Sequence, residues 1–142
     1  MLNGVSKLEL KLTYDIAKDL WDYDPLEGTF AWKKRDVSTF RSKNHWLKYN
    51  ESKVGTVCGT LTKRGYIVLG FGGSQYYAHR LAWLFSQGEW PSEYIDHVNR
   101  DKSDNRIDNL RCVSFKENSR NVSISSRNTS GQIGVSYCDI GR

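Results

Sequence analysis

Residues 94–121, YIDHVNRDKSDNRIDNLRCVSFKENSRN, decide how the rest of the chain is read. A short β-type run, Tyr94–His97, enters a polar loop, and a second short run, Leu110–Val113, follows. Ser114 then precedes Glu117 by three positions, the capping box that starts a helix. Strand, loop, strand and helix within fewer than thirty residues make a ββα hairpin.

Four side chains in this hairpin carry chemistry: Asp96, His97, Asn109 and Asn118. Asp96 and His97 are adjacent on a strand, so they point to opposite sides unless the strand end twists. Such a pair can divide the work, the carboxylate binding a hard cation and the imidazole serving as a base near neutral pH. A helix packed across the hairpin can bring Asn118 beside Asp96. A carboxylate plus an amide oxygen leaves Mg²⁺ open positions for water and phosphate, the layout of one-metal phosphodiester hydrolysis. Taken singly, each residue has a plainer reading. An Asp-His pair is commonly a hydrogen-bonded surface pair, Asn109 a turn residue before a buried leucine, and Asn118 a solvated helix residue. Asn105 reads as turn chemistry, through tolerance of left-handed backbone. His79 reads as a partly buried histidine whose ring bonds the backbone, and His45 as a loop residue. The 96–108 loop lacks the glycine and glutamate that a calcium loop requires.

Upstream, residues 6–21 place Leu8, Leu12, Ile16 and Leu20 at steps of four, which predicts an amphipathic helix ended before Pro25. Pro25 and Gly28 turn the chain into a strand, Thr29–Lys33. Residues 36–53 are polar and basic and read as a surface loop. Three β-type stretches follow, Gly55–Leu61, Tyr66–Phe71 and Gln75–Ala78, divided by Lys-Arg-Gly and Gly-Gly turns: a small antiparallel meander. Residues 80–87 form a short apolar helix stopped at Gly88. The predicted class is α+β. There is no internal repeat and no low-complexity tract.

The 142 residues suit one ordinary domain, and 38% hydrophobic with 26% charged residues predicts a folded chain. Eighteen aromatic residues imply a core built around large rings. Charge is unevenly placed: residues 1–29 sum to −3 and residues 30–142 to +8, for a net +5. A basic body suits a polyanionic partner. Lys33, Lys34, Arg35, Arg41, Lys43 and Lys48 lie in or beside the 36–53 stretch, interleaved with Phe40, Trp46 and Tyr49. Lys63 and Arg64 occupy a hairpin tip, and Arg100, Lys102, Arg106, Arg111, Lys116 and Arg120 surround the ββα loop. A solvated face explains any one of them; their density favours phosphate contact. Three scattered cysteines, Cys58, Cys112 and Cys138, form no CxxC pair and predict neither a disulfide framework nor a zinc site. No apolar run reaches membrane-spanning length and the first residues lack the apolar core of a signal peptide, so a cytoplasmic protein without membrane contact is expected.

The stretch IDHVNRDKSDNRIDNLRCVSFKEN resembles the HNH nuclease motif, in the variant of phage-encoded and intron-encoded homing endonucleases. His97 stands 12 positions before Asn109 and 21 before Asn118, which fits that motif. YDPLEGTFAW, the meander and AHRLAWLFSQGEWP also look like the leader of small phage HNH proteins, so the resemblance spans roughly residues 20–121. It implies a ββα-metal (HNH) motif packed on a small antiparallel meander with short flanking helices. Asp96 and Asn118 are then the metal ligands, His97 the general base, and Asn109 the residue that orients the hairpin loop and holds His97. The implied cofactor is Mg²⁺ (or Mn²⁺), one ion per active site, and the implied substrate double-stranded DNA, cut to 5′-phosphate and 3′-hydroxyl ends in the host cytoplasm. A monomer would nick; a homodimer or sequential cuts would break both strands. The division expected is a helix and leader at 1–29, a nuclease domain at 30–122 with its core at 93–121, and a tail at 123–142. In that tail, NTSGQIGVSY resembles the opening strand of an AP2-type DNA-binding domain, of which only a truncated remnant is present. The alternative is a non-catalytic DNA-binding protein, a degenerate nuclease or regulator. The basic patches serve both readings; the complete quartet favours the enzyme.

Overall fold

In the computed structural model, which describes residues 11–120, Thr13 sets where the first helix begins. Its backbone is extended and its hydroxyl accepts the Ile16 N–H at 3.3 Å, capping α1 (Tyr14–Leu20). The helix expected over 6–21 is therefore shorter: residues 6–10 lie outside the described residues, and Leu12 and Thr13 are not helical. Of the step-of-four stripe, Leu12 and Leu20 are buried, together with Ala17, whereas Ile16 is 37% exposed, so the stripe packs only in part. Trp21 is already extended and opens β1 (Trp21–Asp24), which the helical pattern concealed. Asp24 accepts the Leu26 and Glu27 N–H groups and turns the chain into β2 (Thr29–Trp32), antiparallel to β1 from Trp21↔Trp32 to Asp24↔Thr29. Strand pairing thus crosses from the acidic leader into the basic body, and the two share one core.

The stretch expected as a surface loop contains helix. After a single 3₁₀ turn at Val37–Thr39, Ser42 caps α2 (Lys43–Ser52) by accepting the His45 N–H at 3.2 Å. None of its side chains is fully buried, and no apolar stripe announces it. Two hydrogen bonds hold it instead: Trp46 Nε1 donates to the Arg35 carbonyl (2.8 Å) and the Tyr49 hydroxyl to the Lys33 carbonyl (2.9 Å). Periodicity cannot reveal a helix anchored that way.

Gly55–Leu61, expected as one strand, divides at Gly59, whose φ of +122° a side-chain-bearing residue rarely adopts. Val57–Cys58 (β3) pairs with β2, while Thr60–Leu61 (β4) pairs with β5 (Ile67–Phe71), which pairs in turn with β6 (Ser74–Tyr77). Two three-stranded antiparallel sheets result, β1-β2-β3 and β4-β5-β6. Tyr77 leads straight into α3 (Ala78–Gln87), which Gly88 ends in the left-handed conformation at φ +81°. Ala78, Leu81, Ala82 and Leu84 of α3 join Leu12, Trp21, Phe30, Leu69 and Tyr76 in the core. Each large apolar side chain buried there contributes about 1.5–3 kcal/mol.

Beyond this core, β7 (Tyr94–His97) and β8 (Leu110–Val113) form the expected hairpin, with Asp96 opposite Arg111 and His97 opposite Leu110. The capping box forms as well: the Glu117 carboxylate accepts the Ser114 N–H and hydroxyl, and Ser114 Oγ accepts the Glu117 N–H. It starts α4 (Phe115–Arg120), which packs on both strands. The AP2-like tail falls outside the described residues.

Candidate active site

His97 closes β7 with only 5% of its surface exposed. The chain turns at once: Arg100 N–H donates to the His97 carbonyl at 2.9 Å, and Arg100 adopts a φ of +65°. At this strand end Asp96 and His97 both line a cavity about 590 Å³ in volume, and Asn118 of α4 lines it too. A strand neighbour pair and a helix residue twenty-one positions on from His97 thus line one cavity.

The loop between the strands is built from its own polar side chains. Asn99 Oδ1 accepts the Asp101 N–H, Asp101 Oδ1 the Ser103 N–H, and Asp104 Oδ1 the Arg106 N–H, three consecutive side-chain-to-backbone turns. Asn109, 7% exposed, ties the two ends together. Its Oδ1 accepts the Asn99 N–H, and its Nδ2 donates to Asn99 Oδ1 and the Asp104 carbonyl. It therefore shapes the loop, but these bonds pass His97 by. The imidazole bonds instead to Asn105, with 3.2 Å between His97 Nε2 and Asn105 Oδ1. Asn105 is 1% exposed and not left-handed, so its reading as a tolerant turn residue is corrected: it spends its amide on the histidine. Asn99, Asp104 and Asn105 share the same composition cues, and nothing in the sequence separates the buried amide from the exposed ones.

Charge is arranged in pairs. Arg111 donates to Asp96 Oδ2 through Nε (3.0 Å) and Nη2 (2.7 Å), which steadies the carboxylate across the ladder. Arg106 grips both oxygens of Asp104, donating from Nε to Oδ1 (2.8 Å) and from Nη2 to Oδ2 (2.6 Å), and these hydrogen bonds, with one from Asn99, hold the Asp104 carboxyl down at about 2. His79, at the start of α3, packs its ring edge-on against His97 with centroids 5.1 Å apart. It is 7% exposed, and its Nδ1 has no hydrogen-bond partner among the described residues, so the expected ring-to-backbone bond at that atom is absent. Burial, then the neighbouring His97 and Arg80, lower its pKa to about 3 and keep it neutral.

Of the basic residues expected to meet DNA, Arg64 and Arg100 line the cavity, together with Lys102. The Lys102 ammonium lies 4.9 Å over the Tyr66 ring and donates to the Arg64 carbonyl, joining the Lys63–Arg64 hairpin tip to the loop. Arg106 and Arg111 are in the ion pairs above. Lys33, Lys34, Arg35, Arg41, Lys43 and Lys48 lie on the β2–α2 segment and none of them lines the cavity. Lys33 sits 3.7 Å from Asp22, Lys34 lies over Trp46, and the Arg35 guanidinium stacks on Phe40 at 5.0 Å. Arg120 ends α4, and its side chain lies outside the described residues. The sequence reading missed Arg80, whose Nη1 and Nη2 bond the Glu93 and Pro91 carbonyls while it lines the cavity. A lone arginine inside an apolar helix gives no signal of that.

Among the described residues no three His, Cys, Asp or Glu side chains converge to hold a metal ion. Asp96 and Asn118, which both line the cavity, offer oxygen atoms as donors. That set fits a hard divalent cation which keeps several waters, and it does not fit a closed zinc site. No helix of the described residues is long and apolar enough to cross a membrane.

Residues 76–120 match the family model for HNH endonuclease. Over 60 residues the chain is 38% identical to Protein 3.8 of Escherichia phage T7, a match covering 42% of this chain and 50% of that one. A solved structure described as DNA binding and cleavage by the HNH homing endonuclease I-HmuI is similar over 70% of this chain and 49% of that chain, at 23% identity and a TM-score of 0.46. The chain spans about half the length of each of these two relatives.

Proposed function

We propose, on the premise that residues 76–120 carry the HNH endonuclease motif, that this chain is a divalent-metal-dependent DNA endonuclease that hydrolyses phosphodiester bonds. The observation that carries the reading is the cavity that Asp96, His97 and Asn118 line together with Arg64, Arg80, Arg100 and Lys102. The cations draw a phosphate backbone into the cavity and hold it there. His97 takes the proton of a water aligned with the scissile bond. Asp96, steadied by Arg111, and Asn118 would hold a Mg²⁺ or Mn²⁺ ion, which when bound neutralises charge at the phosphate. Tyr66 and Tyr77 line the cavity and pack their rings against His79. One site per chain cuts one strand, so a monomer nicks and a homodimer or two sequential events are needed for a double-strand break. A phage-encoded, homing-type enzyme acting in the host cytoplasm fits the phage relative.

A second reading, a DNA-binding protein that does not cut, draws on the Asp96–Arg111 pair, which already engages the carboxylate. Incubating supercoiled plasmid with the protein in Mg²⁺, Mn²⁺ or EDTA separates the two. The enzyme reading predicts metal-dependent open circles that DNA ligase reseals, since 5′-phosphate and 3′-hydroxyl ends are religatable. A gel shift without cleavage, on DNA that includes the natural target, would hand the case to the second reading.

A further inference from the structure

We infer that Asn105 is the positioning residue that fixes His97 as its Nε2–H tautomer, and that the β1–β2 hairpin clamps Asn105 in place for that purpose. The inference rests on the proposed role of His97 as the base.

The two hydrogen bonds of the Asn105 amide decide the tautomer. Asn105 Nδ2 lies 3.2 Å from the Ser103 carbonyl, an acceptor only, so the amide nitrogen must face Ser103. The oxygen is then the atom that faces His97 Nε2 at 3.2 Å. An amide oxygen cannot donate, so Nε2 must carry the proton and the lone pair of the neutral ring falls on Nδ1. Flipping the amide would oppose two carbonyl oxygens at Ser103, and moving the ring proton would oppose two lone pairs at Asn105. Both groups are buried, at 1% and 5% exposure, so water does not relieve either mismatch.

The clamp comes from residues some eighty positions earlier in the chain. The Tyr23 hydroxyl on β1 donates to the Asn105 carbonyl at 2.7 Å, and the Ile107 N–H donates to the Pro25 carbonyl at 3.2 Å. Gly28, with φ +69°, lies so close that a Cβ there would collide with the backbone nitrogen of Arg106 and the carbonyl carbon of Asn105. Only a residue without a side chain lets the hairpin turn seat against the Asn105 backbone. The leader is thereby tied to the orientation of the base.

The test reads the ring directly, on the full chain labelled with ¹⁵N-histidine and without DNA or metal. Long-range ¹H–¹⁵N correlation of neutral His97 is expected to show a protonated Nε2 and an unprotonated Nδ1, with the Nε2 proton protected from solvent exchange. A protonated Nδ1 in the wild type overturns the inference. In Asn105→Leu the protected proton should disappear and cleavage should fall by about 10²-fold. In the milder Tyr23→Phe, the proton should exchange faster in a chain that still folds; unchanged exchange there overturns the clamp. Because the spectra need no cleavage, a protected Nε2–H in a chain that never cuts DNA would leave the positioning intact and defeat only the nuclease reading.

Discussion

Burial at His79 gives the site a pH dependence of its own. The ring is neutral when folded, with its pKa lowered to about 3 chiefly by burial, whereas in the unfolded chain it titrates near its ordinary value of about 6.5. Between those values the unfolded state binds the extra proton, so the stabilisation is complete above about pH 6.5 and is lost as pH falls toward 3. The slope limit is about 1.4 kcal/mol per pH unit. Urea unfolding at pH 7 and pH 5 should show this loss, and His79→Asn should flatten it; an equal loss in the variant would place the acid sensitivity elsewhere. At this scale the sequence was half legible. Asp96 and His97 stood out because an adjacent carboxylate and imidazole suit hydrolysis, and Asn118 only through the resemblance of the whole stretch to the HNH motif. Asn105 did not, because burial and not residue type distinguishes it from Asn99, and burial is decided by the hairpin that covers it.

The short helix α4 brings Asn118 to the cavity, and at six residues it depends on its cap. Ser114→Ala removes the hydroxyl bonded to Glu117 and should cost about 0.5–2 kcal/mol of stability. If Asn118 is a ligand as proposed, divalent-ion affinity measured by calorimetry with Mn²⁺ should weaken as well, because Asn118 loses its fixed position; unchanged affinity would remove Asn118 from the proposed metal site. Capping boxes and hairpins are local chemistry, which is why β7, β8 and α4 were readable from residues 94–120 alone. The elements that escaped depend on distant partners. The helix α2 is fastened to the Lys33 and Arg35 carbonyls, and at Gly59 one β-type run divides between two sheets, β3 pairing with β2 and β4 with β5.

Across the whole molecule, charge is divided between an acidic leader and a basic body. The leader, at −3, supplies core and clamp, while the body, at +8, carries the cations that ring the cavity and stud the β2–α2 segment. Replacing Lys33, Lys34, Lys43 and Lys48 with alanine should weaken DNA binding nearly uniformly across sequences and lower its salt slope by about one for each phosphate no longer neutralised. A salt slope equal to that of the wild type would place that segment off the DNA. Arg35 is left out of that set because its guanidinium packs on Phe40 and Tyr49, and its loss would disturb α2 as well. The central claim is that His97 is the base of a DNA-cutting site, and one comparison tests it most directly: binding and cleavage of the same DNA by the wild type and by His97→Ala, in Mg²⁺. The account predicts that the variant folds and binds DNA within a few-fold of the wild type while cleavage falls by about 10²–10⁴-fold. Cleavage at the wild-type rate by a folded His97→Ala chain would contradict it.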